Sequence, residues 1–168
     1  MQTSKRTIYY YFGGKEKLYL AVLEAAYRRV RAIDTEPDLD TQDAESALRE
    51  LAGRTFDFQG ANEDFVRLIM NENIHNARYL RELKDIQKLN ASAVDAVRKI
   101  YQRGCKAGVF RSGIEPLDIH MTISALAFFN VSNRHTFSLI FKHDMASAKS
   151  HAARRASVVE AVARFVRK

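Results

Sequence analysis

One cysteine, two prolines and seven glycines are all that 168 residues contain of these types, and each scarcity excludes something. The lone Cys105 forms no intrachain disulfide and rules out a cysteine-rich zinc module. So few chain-breaking residues, with no strand-turn-strand punctuation, speak against an all-β fold and leave long stretches that read as helix. No apolar run reaches the roughly 18 to 20 uncharged residues of a membrane span. The N-terminal segment carries Lys5, Arg6, Lys15 and Lys17 without the apolar stretch of a signal peptide, so a cytoplasmic protein with no membrane partner is expected. A phosphate-cradling glycine loop and a G-x-S-x-G elbow are both missing. His75, His120, His135, His143 and His151 include no two one helical turn apart, and Cys105 beside Lys106 reads as an inert thiol at a helix end. No catalytic residues, no metal and no cofactor are expected, and the chain does not read as an enzyme.

What is present is 46% hydrophobic and 28% charged residues, a balance that suits one globular domain or one with a small attachment. The net charge of +7 is unevenly spread: residues 1–33 carry +5, residues 34–57 carry −6, and the two remaining stretches, 58–116 and 117–168, carry +3 and +5. A basic N-terminal segment is the footprint of a phosphate-binding surface, and equally of a solvated helix face.

Periodicity predicts an all-α protein. A short helix over residues 4–11 begins at Ser4, whose hydroxyl suits an N-cap, and Phe12-Gly13-Gly14-Lys15 breaks it. A second helix runs over 15–33, with Leu18, Val22, Leu23, Ala25, Ala26 and Val30 recurring at helical spacing. After a polar connection holding Pro37, Thr41 is the expected N-cap of a helix carrying Ala47, Leu48, Leu51, Ala52, Thr55 and Phe56. Gly60-Ala61-Asn62 ends it, and another helix follows with Phe65, Leu68, Ile69 and Ile74. Residues 76–108 read as one long amphipathic helix with a bend near 88–92, closed by Gly104 and Gly108. Residues 117–141 are apolar on more than one face, and a helix apolar all round must be covered all round. A chain this short does not wrap both sides, so one side is expected on the core and the other on a second subunit. The last helix, over about 148–167, adds an apolar strip and small alanines that permit close helix approach. The expected homodimer contacts are Leu126, Phe129, Val158, Val159, Val162, Phe165 and Val166.

The run Ser4-Lys5-Arg6-Thr7-Ile8-Tyr9-Tyr10-Tyr11-Phe12-Gly13-Gly14-Lys15-Glu16-Lys17-Leu18 closely resembles the end of the helix-turn-helix in tetracycline-repressor-like transcription regulators. The resemblance implies a recognition helix at about 4–11, a tight turn, and the start of the helix that links the DNA-binding head to the body. In those roles Ser4 and Thr7 reach phosphates or base edges, Lys5 and Arg6 supply phosphate charge and guanine contacts, and Tyr9 and Tyr10 give hydroxyls to phosphate. Tyr11 either contacts DNA or packs within the head, and Lys15 corresponds to the family's phosphate-clamping lysine, helped by the helix dipole. Two head helices, roughly forty residues in the family pattern, have no counterpart before Met1. Residues 1–33 are therefore expected to be a partial head with its linking helix, and residues 34–168 a ligand-binding and dimerisation body forming a dimeric four-helix bundle.

By the same resemblance an unidentified small-molecule effector enters a cavity among the central helices. Its expected lining is Phe56, Arg67, Met70, Asn71, Asn73, Ile74, Tyr101, Phe128 and Phe129, chosen as apolar or amphipathic residues beside orienting polar groups. The expected function is a ligand-responsive regulator, a repressor by the family's commoner mode, bound to double-stranded operator DNA. The alternative is a truncated dimeric sensor or interaction module that does not bind DNA.

Overall fold

A computed structural model describes residues 5–32 and 38–168, with side chains from Thr7 onward. The order is α1 (Lys5–Phe12), α2 (Lys15–Arg31), the single turn α3 (Asp38–Thr41), α4 (Ala44–Ala61), α5 (Glu63–Ile74), a 3₁₀ turn (Leu80–Glu82), α6 (Ile86–Lys106), α7 (Pro116–Ser132), α8 (Arg134–Phe141) and α9 (Ala148–Val166). Among the described residues the fold is all-α, and the one β-type contact is an isolated bridge between Phe110 and Arg167. The expected capping role of Ser4 falls outside the described residues.

The glycine pair after α1 closes the helix by a recurrent backbone device. Gly14 N–H donates to the Tyr9 carbonyl at 2.8 Å and Gly13 N–H to that of Tyr10 at 3.3 Å, while Gly13 takes φ +73°. That left-handed residue carries no Cβ penalty only as glycine, and the two bonds satisfy carbonyls the helix end would leave open. α2 then starts at Lys15 and buries a narrow seam, Leu23 and Val30, while Val22 faces solvent.

α4 is the spine of the body. Ala47, Leu48, Leu51, Ala52 and Phe56 are buried along it, and it packs on α9, α7 and α6. Leu48 and Leu51 share a cluster with Val97 and Ile100 of α6, Ile119 and Ile123 of α7, and Val162 and Val166 of α9. Each such aliphatic side chain contributes about 1.5 to 3 kcal/mol by leaving water. A second cluster joins Val30, Phe65, Val66 and Val131, tying α2 and α5 to the end of α7.

Three boundaries differ from expectation, each for a local reason. The N-cap of α4 is Asp43, not Thr41: its carboxylate accepts Ser46 N–H at 3.0 Å, while Thr41 ends α3 with its hydroxyl on the Asp38 carbonyl. The helix expected over 76–108 begins only at Ile86, because Asn76 and Ala77 both take left-handed φ and a 3₁₀ turn follows. The helix expected over 117–141 divides at Asn133, which closes α7 through Phe129 O and opens α8 by accepting Phe137 N–H.

Gly104 is required by a close approach. A Cβ there would overlap the Phe110 ring, which is buried and held by its own N–H on the Gly104 carbonyl. A Cβ at Gly53 instead meets the guanidinium end of Arg155, a flexible group. Gly104→Ala is expected to cost about 1 to 3 kcal/mol. Gly53→Ala is expected to be near neutral, as about 1 kcal/mol of helix propensity offsets the displaced arginine. Melts followed by circular dichroism check this, and equal losses from the two changes would refute the special role of Gly104.

Candidate ligand cavity and DNA-facing surface

A cavity of about 570 Å³ lies where α2, α4, α5, α6 and α7 converge, inside the roughly 300 to 1,000 Å³ range of small-molecule sites. α2 contributes Tyr27, Val30 and Arg31, and α4 contributes Thr55 and Gln59, one turn apart. α5 adds Phe65, Ile69 and Asn73, α6 adds Asn90, and α7 adds His120, Met121, Ser124, Ala125 and Phe128. The Tyr27 and Phe65 rings meet edge to face at 5.7 Å and make one apolar wall.

Polar groups stand against those apolar walls. Nε and Nη1 of Arg31 are shielded from solvent. Burial, and then the positive charge of Arg31, hold His120 below its ordinary pKa, so the imidazole is neutral at neutral pH. Burial raises the Tyr27 phenol above its usual range. Gln59 is 5% exposed, and its Oε1 is buried with no hydrogen-bond donor. Thr55 donates its hydroxyl proton to the Leu51 carbonyl at 2.8 Å, and Asn73 and Asn90 donate to the carbonyls of Ile69 and Ile86.

Of the nine residues expected on a ligand cavity, Asn73 and Phe128 line this one. The others are placed elsewhere. Phe56 is core, packed on Ala127 and Val158. Tyr101 is buried structure: its hydroxyl donates to the Arg111 carbonyl at 2.8 Å and accepts Ile114 N–H at 3.0 Å, pinning the link between α6 and α7. Arg67 is an exposed partner of Glu63 one turn away, Met70 packs beside Phe65 and Val66, Ile74 is exposed, and Phe129 borders a second cavity of about 300 Å³. Gln59, Arg31 and His120 were missed. Gln59 had a legible signal, a polar side chain one turn beyond Phe56 and Thr55 on the buried stripe of α4. Arg31 and His120 meet only through packing and had none.

Asn71 belongs to a network that joins α2 to α5. Tyr19 Oη donates to Glu72 Oε1 at 2.9 Å and accepts from Asn71 Nδ2 at 2.9 Å. Glu72, only 2% exposed, also accepts Leu80 N–H at 2.9 Å through its other carboxylate oxygen.

The surface at the other end of α2 is aromatic and open. Tyr10 and Tyr11 are 89% and 83% exposed, Tyr9 and Thr7 also face solvent, and Ile8 and Phe12 are partly covered. Lys15 is exposed in the first turn of α2. Ser4 and the side chains of Lys5 and Arg6 lie outside the described residues.

The family model described as the C-terminal domain of tetracyclin-repressor-like proteins matches residues 45–162. The chain belongs to the tetracycline-repressor-like family of transcriptional regulators. The HTH-type transcriptional repressor NicS of Pseudomonas putida is 35% identical over 151 residues, which cover 90% of this chain and 71% of that repressor. Among the described residues no helix of this family member is long and apolar enough to cross a membrane.

The seven residues expected at a dimer contact differ in burial: Phe129 is exposed, and Leu126, Val159 and Phe165 are half-buried. Val158, Val162 and Val166 are buried against the chain's own core, and Leu126, Val159 and Phe165 pack on it. Val158, Val162 and Val166 lie on the inner face of α9. On α7 and α8 the large apolar side chains left to solvent are Leu117, Met121, Phe129, Leu139, Ile140 and Phe141.

Tyr19→Phe is expected to destabilise the protein by about 1 to 3 kcal/mol, because the buried Glu72 carboxylate loses a donor and Asn71 loses its acceptor. Urea unfolding measures this, and an unchanged midpoint would show that the network is not holding α2 to α5.

Proposed function

We propose that this family member is a ligand-responsive repressor of transcription, released from double-stranded operator DNA when a small-molecule effector fills the cavity between α2, α4, α5 and α7. One observation carries the reading: α2 walls the cavity with Tyr27, Val30 and Arg31, and at its other end it continues through the Gly13-Gly14 turn into the tyrosine-bearing α1. A ligand that shifts α2 therefore shifts α1. The effector binds the arrangement in which α1 is misplaced for the operator, and DNA affinity falls by the same coupling free energy. The proposed DNA-facing residues are Thr7, Tyr9, Tyr10, Tyr11 and Lys15, with Ser4, Lys5 and Arg6 added by family resemblance. Recognition proceeds by phosphate contacts that position and base contacts that specify.

Gel shifts on the DNA flanking the chain's own gene test this, with the 168-residue chain and an upstream-extended version side by side. The regulator reading expects the extended protein to bind. Lys15→Ala is expected to weaken binding to all sequences alike and to lower the salt slope by about one. Binding by neither protein would favour the alternative, a dimeric sensor that does not engage DNA.

A homodimer supported by the exposed apolar faces of α7 and α8 would set two heads on successive major grooves. Leu139 is 80% exposed, so Leu139→Glu leaves the core intact and is expected to yield monomers in sedimentation velocity. A dimer that survives this change would remove α8 from the interface.

A further inference from the structure

The cavity of about 300 Å³ that Phe129 borders is separate from the larger one and is lined from α7, α8, the link after it and the start of α9. Its volume is at the small end of the range for ligand sites. Asn130 of α7 and Arg154 of α9 both line it. Packing explains the meeting: Ala127 of α7 clusters with Val158 of α9, and Asn130 and Arg154 each stand one turn from those residues on their own helices.

These two polar side chains have no partner among the described residues. Asn130 is only 3% exposed. Asn62, Asn73 and Asn90 each return an amide proton to the carbonyl four residues earlier, whereas the side chain of Asn130 makes no hydrogen bond. A buried amide in that state carries a desolvation cost that a bound partner relieves. Arg155 is paired with Asp57, but its neighbour Arg154, half-buried, makes neither an ion pair nor a hydrogen bond. No aspartate or glutamate lines the cavity among the described residues. The acid nearest in sequence, Asp144 beside the lining residue His143, turns its carboxylate to Ala146 N–H at 2.9 Å.

A guanidinium offers a fork of donors that matches a carboxylate, and a carboxamide adds N–H donors of its own. The rest of the lining is largely apolar. Phe129 and Phe137 meet edge to face at 6.0 Å, and Met145 is 9% exposed. Such walls suit a hydrocarbon body and give a hydrated inorganic anion nothing to bind.

We propose that this second cavity is a binding site for a short-chain carboxylic acid, its carboxylate held by Arg154 and Asn130 and its chain received by Phe129, Phe137 and Met145. The site is independent of the reading of the larger cavity as the effector's.

Methionine reports on the two cavities separately, because Met145 lines this one and Met121 the larger. The 168-residue chain, with carbon-13 in its methionine methyl groups, is titrated by NMR with hexanoate, hexanamide, hexylamine and inorganic phosphate. Hexanoate is expected to move the Met145 resonance saturably at millimolar concentration and to leave Met121 in place. The amide, the amine and phosphate are expected to need at least about tenfold more. Arg154→Gln is expected to weaken hexanoate at least about tenfold. Asn130→Leu is expected to weaken it as well while raising the melting temperature, since it removes the unpaired amide. If Asn130→Leu fails to fold, Arg154→Gln and the comparison of head groups decide. A Met145 resonance that no probe moves, or that the amide, amine or phosphate moves as readily as hexanoate, would overturn the proposal. So would a shift of Met121 alone, which would send the acid to the larger cavity. Movement of Met145 in Leu139→Glu but not in the unaltered chain would show that a second copy fills the cavity, and would overturn it too.

Discussion

The structure depends on covering α7. From Ile119 to Val131 this helix has no charged residue and no continuous polar face, so each of its sides needs an apolar partner. α4, α6 and α9 cover one side, burying Ile119, Ile123 and Ala127 almost completely. Leu117, Met121, Ala125 and Phe129 recur every fourth residue on the opposite side and remain exposed. The cavity opens along the border between the two, where His120, Ser124 and Phe128 of the same helix form its wall. One helix thus anchors the core, walls the cavity and supplies the apolar surface assigned to a second subunit. A substitution on any of its faces is felt by the other two.

α2 is held differently. It buries only Leu23 and Val30 fully, and beside its packing on α6 much of its attachment is directional: Tyr19 to Glu72 and Asn71, Arg29 to Asp64, and Tyr27 to Phe65. A helix held largely by directional contacts beside a narrow apolar seam moves as a unit when one contact is altered. Under the proposed function this is the required property, because α2 is the element that joins the cavity to α1. The basic side chains of its last turn lie at the cavity end and Lys15 at the α1 end. Lys15 and the cavity residue Arg31 thus stand at opposite ends of one helix, about 24 Å apart at about 1.5 Å per residue.

The helical class, most of the element order and the family were legible in the sequence, since they rest on local periodicity and on the Tyr9-Tyr10-Tyr11-Phe12-Gly13-Gly14-Lys15 run. The faces were less legible. Val158, Val162 and Val166 form an apolar strip that serves equally well as an interface or as core, and only the packing of α9 on α4 distinguishes the two. Tyr101 is amphipathic and so suits a cavity lining, but its hydroxyl has partners within the fold. It finds them in the backbone of Arg111 and Ile114. Arg31 and His120, far apart in the chain, come to one cavity by tertiary packing, which no local pattern encodes.

The break after α5 shows why the longest predicted helix failed. Asn76 and Ala77 adopt left-handed backbone conformations, with φ of +54° and +57°, each costing about 1 to 2 kcal/mol for a residue with a Cβ. Periodicity alone would run the chain straight through. Glu72 opposes that: its backbone carbonyl accepts Ala77 N–H at 2.6 Å and its side chain accepts Leu80 N–H, so the chain is wrapped around a buried carboxylate. Extending the helix through this segment would take Leu80 N–H from Glu72 and leave a buried charge with fewer donors, a loss of the same order as the strain. The turn thus leans on Glu72, and Tyr19 of α2 helps to hold Glu72 by donating to its other carboxylate oxygen. Backbone strain at the end of α5 and the seating of α2 are thereby one balance, set one turn from the cavity residue Asn73.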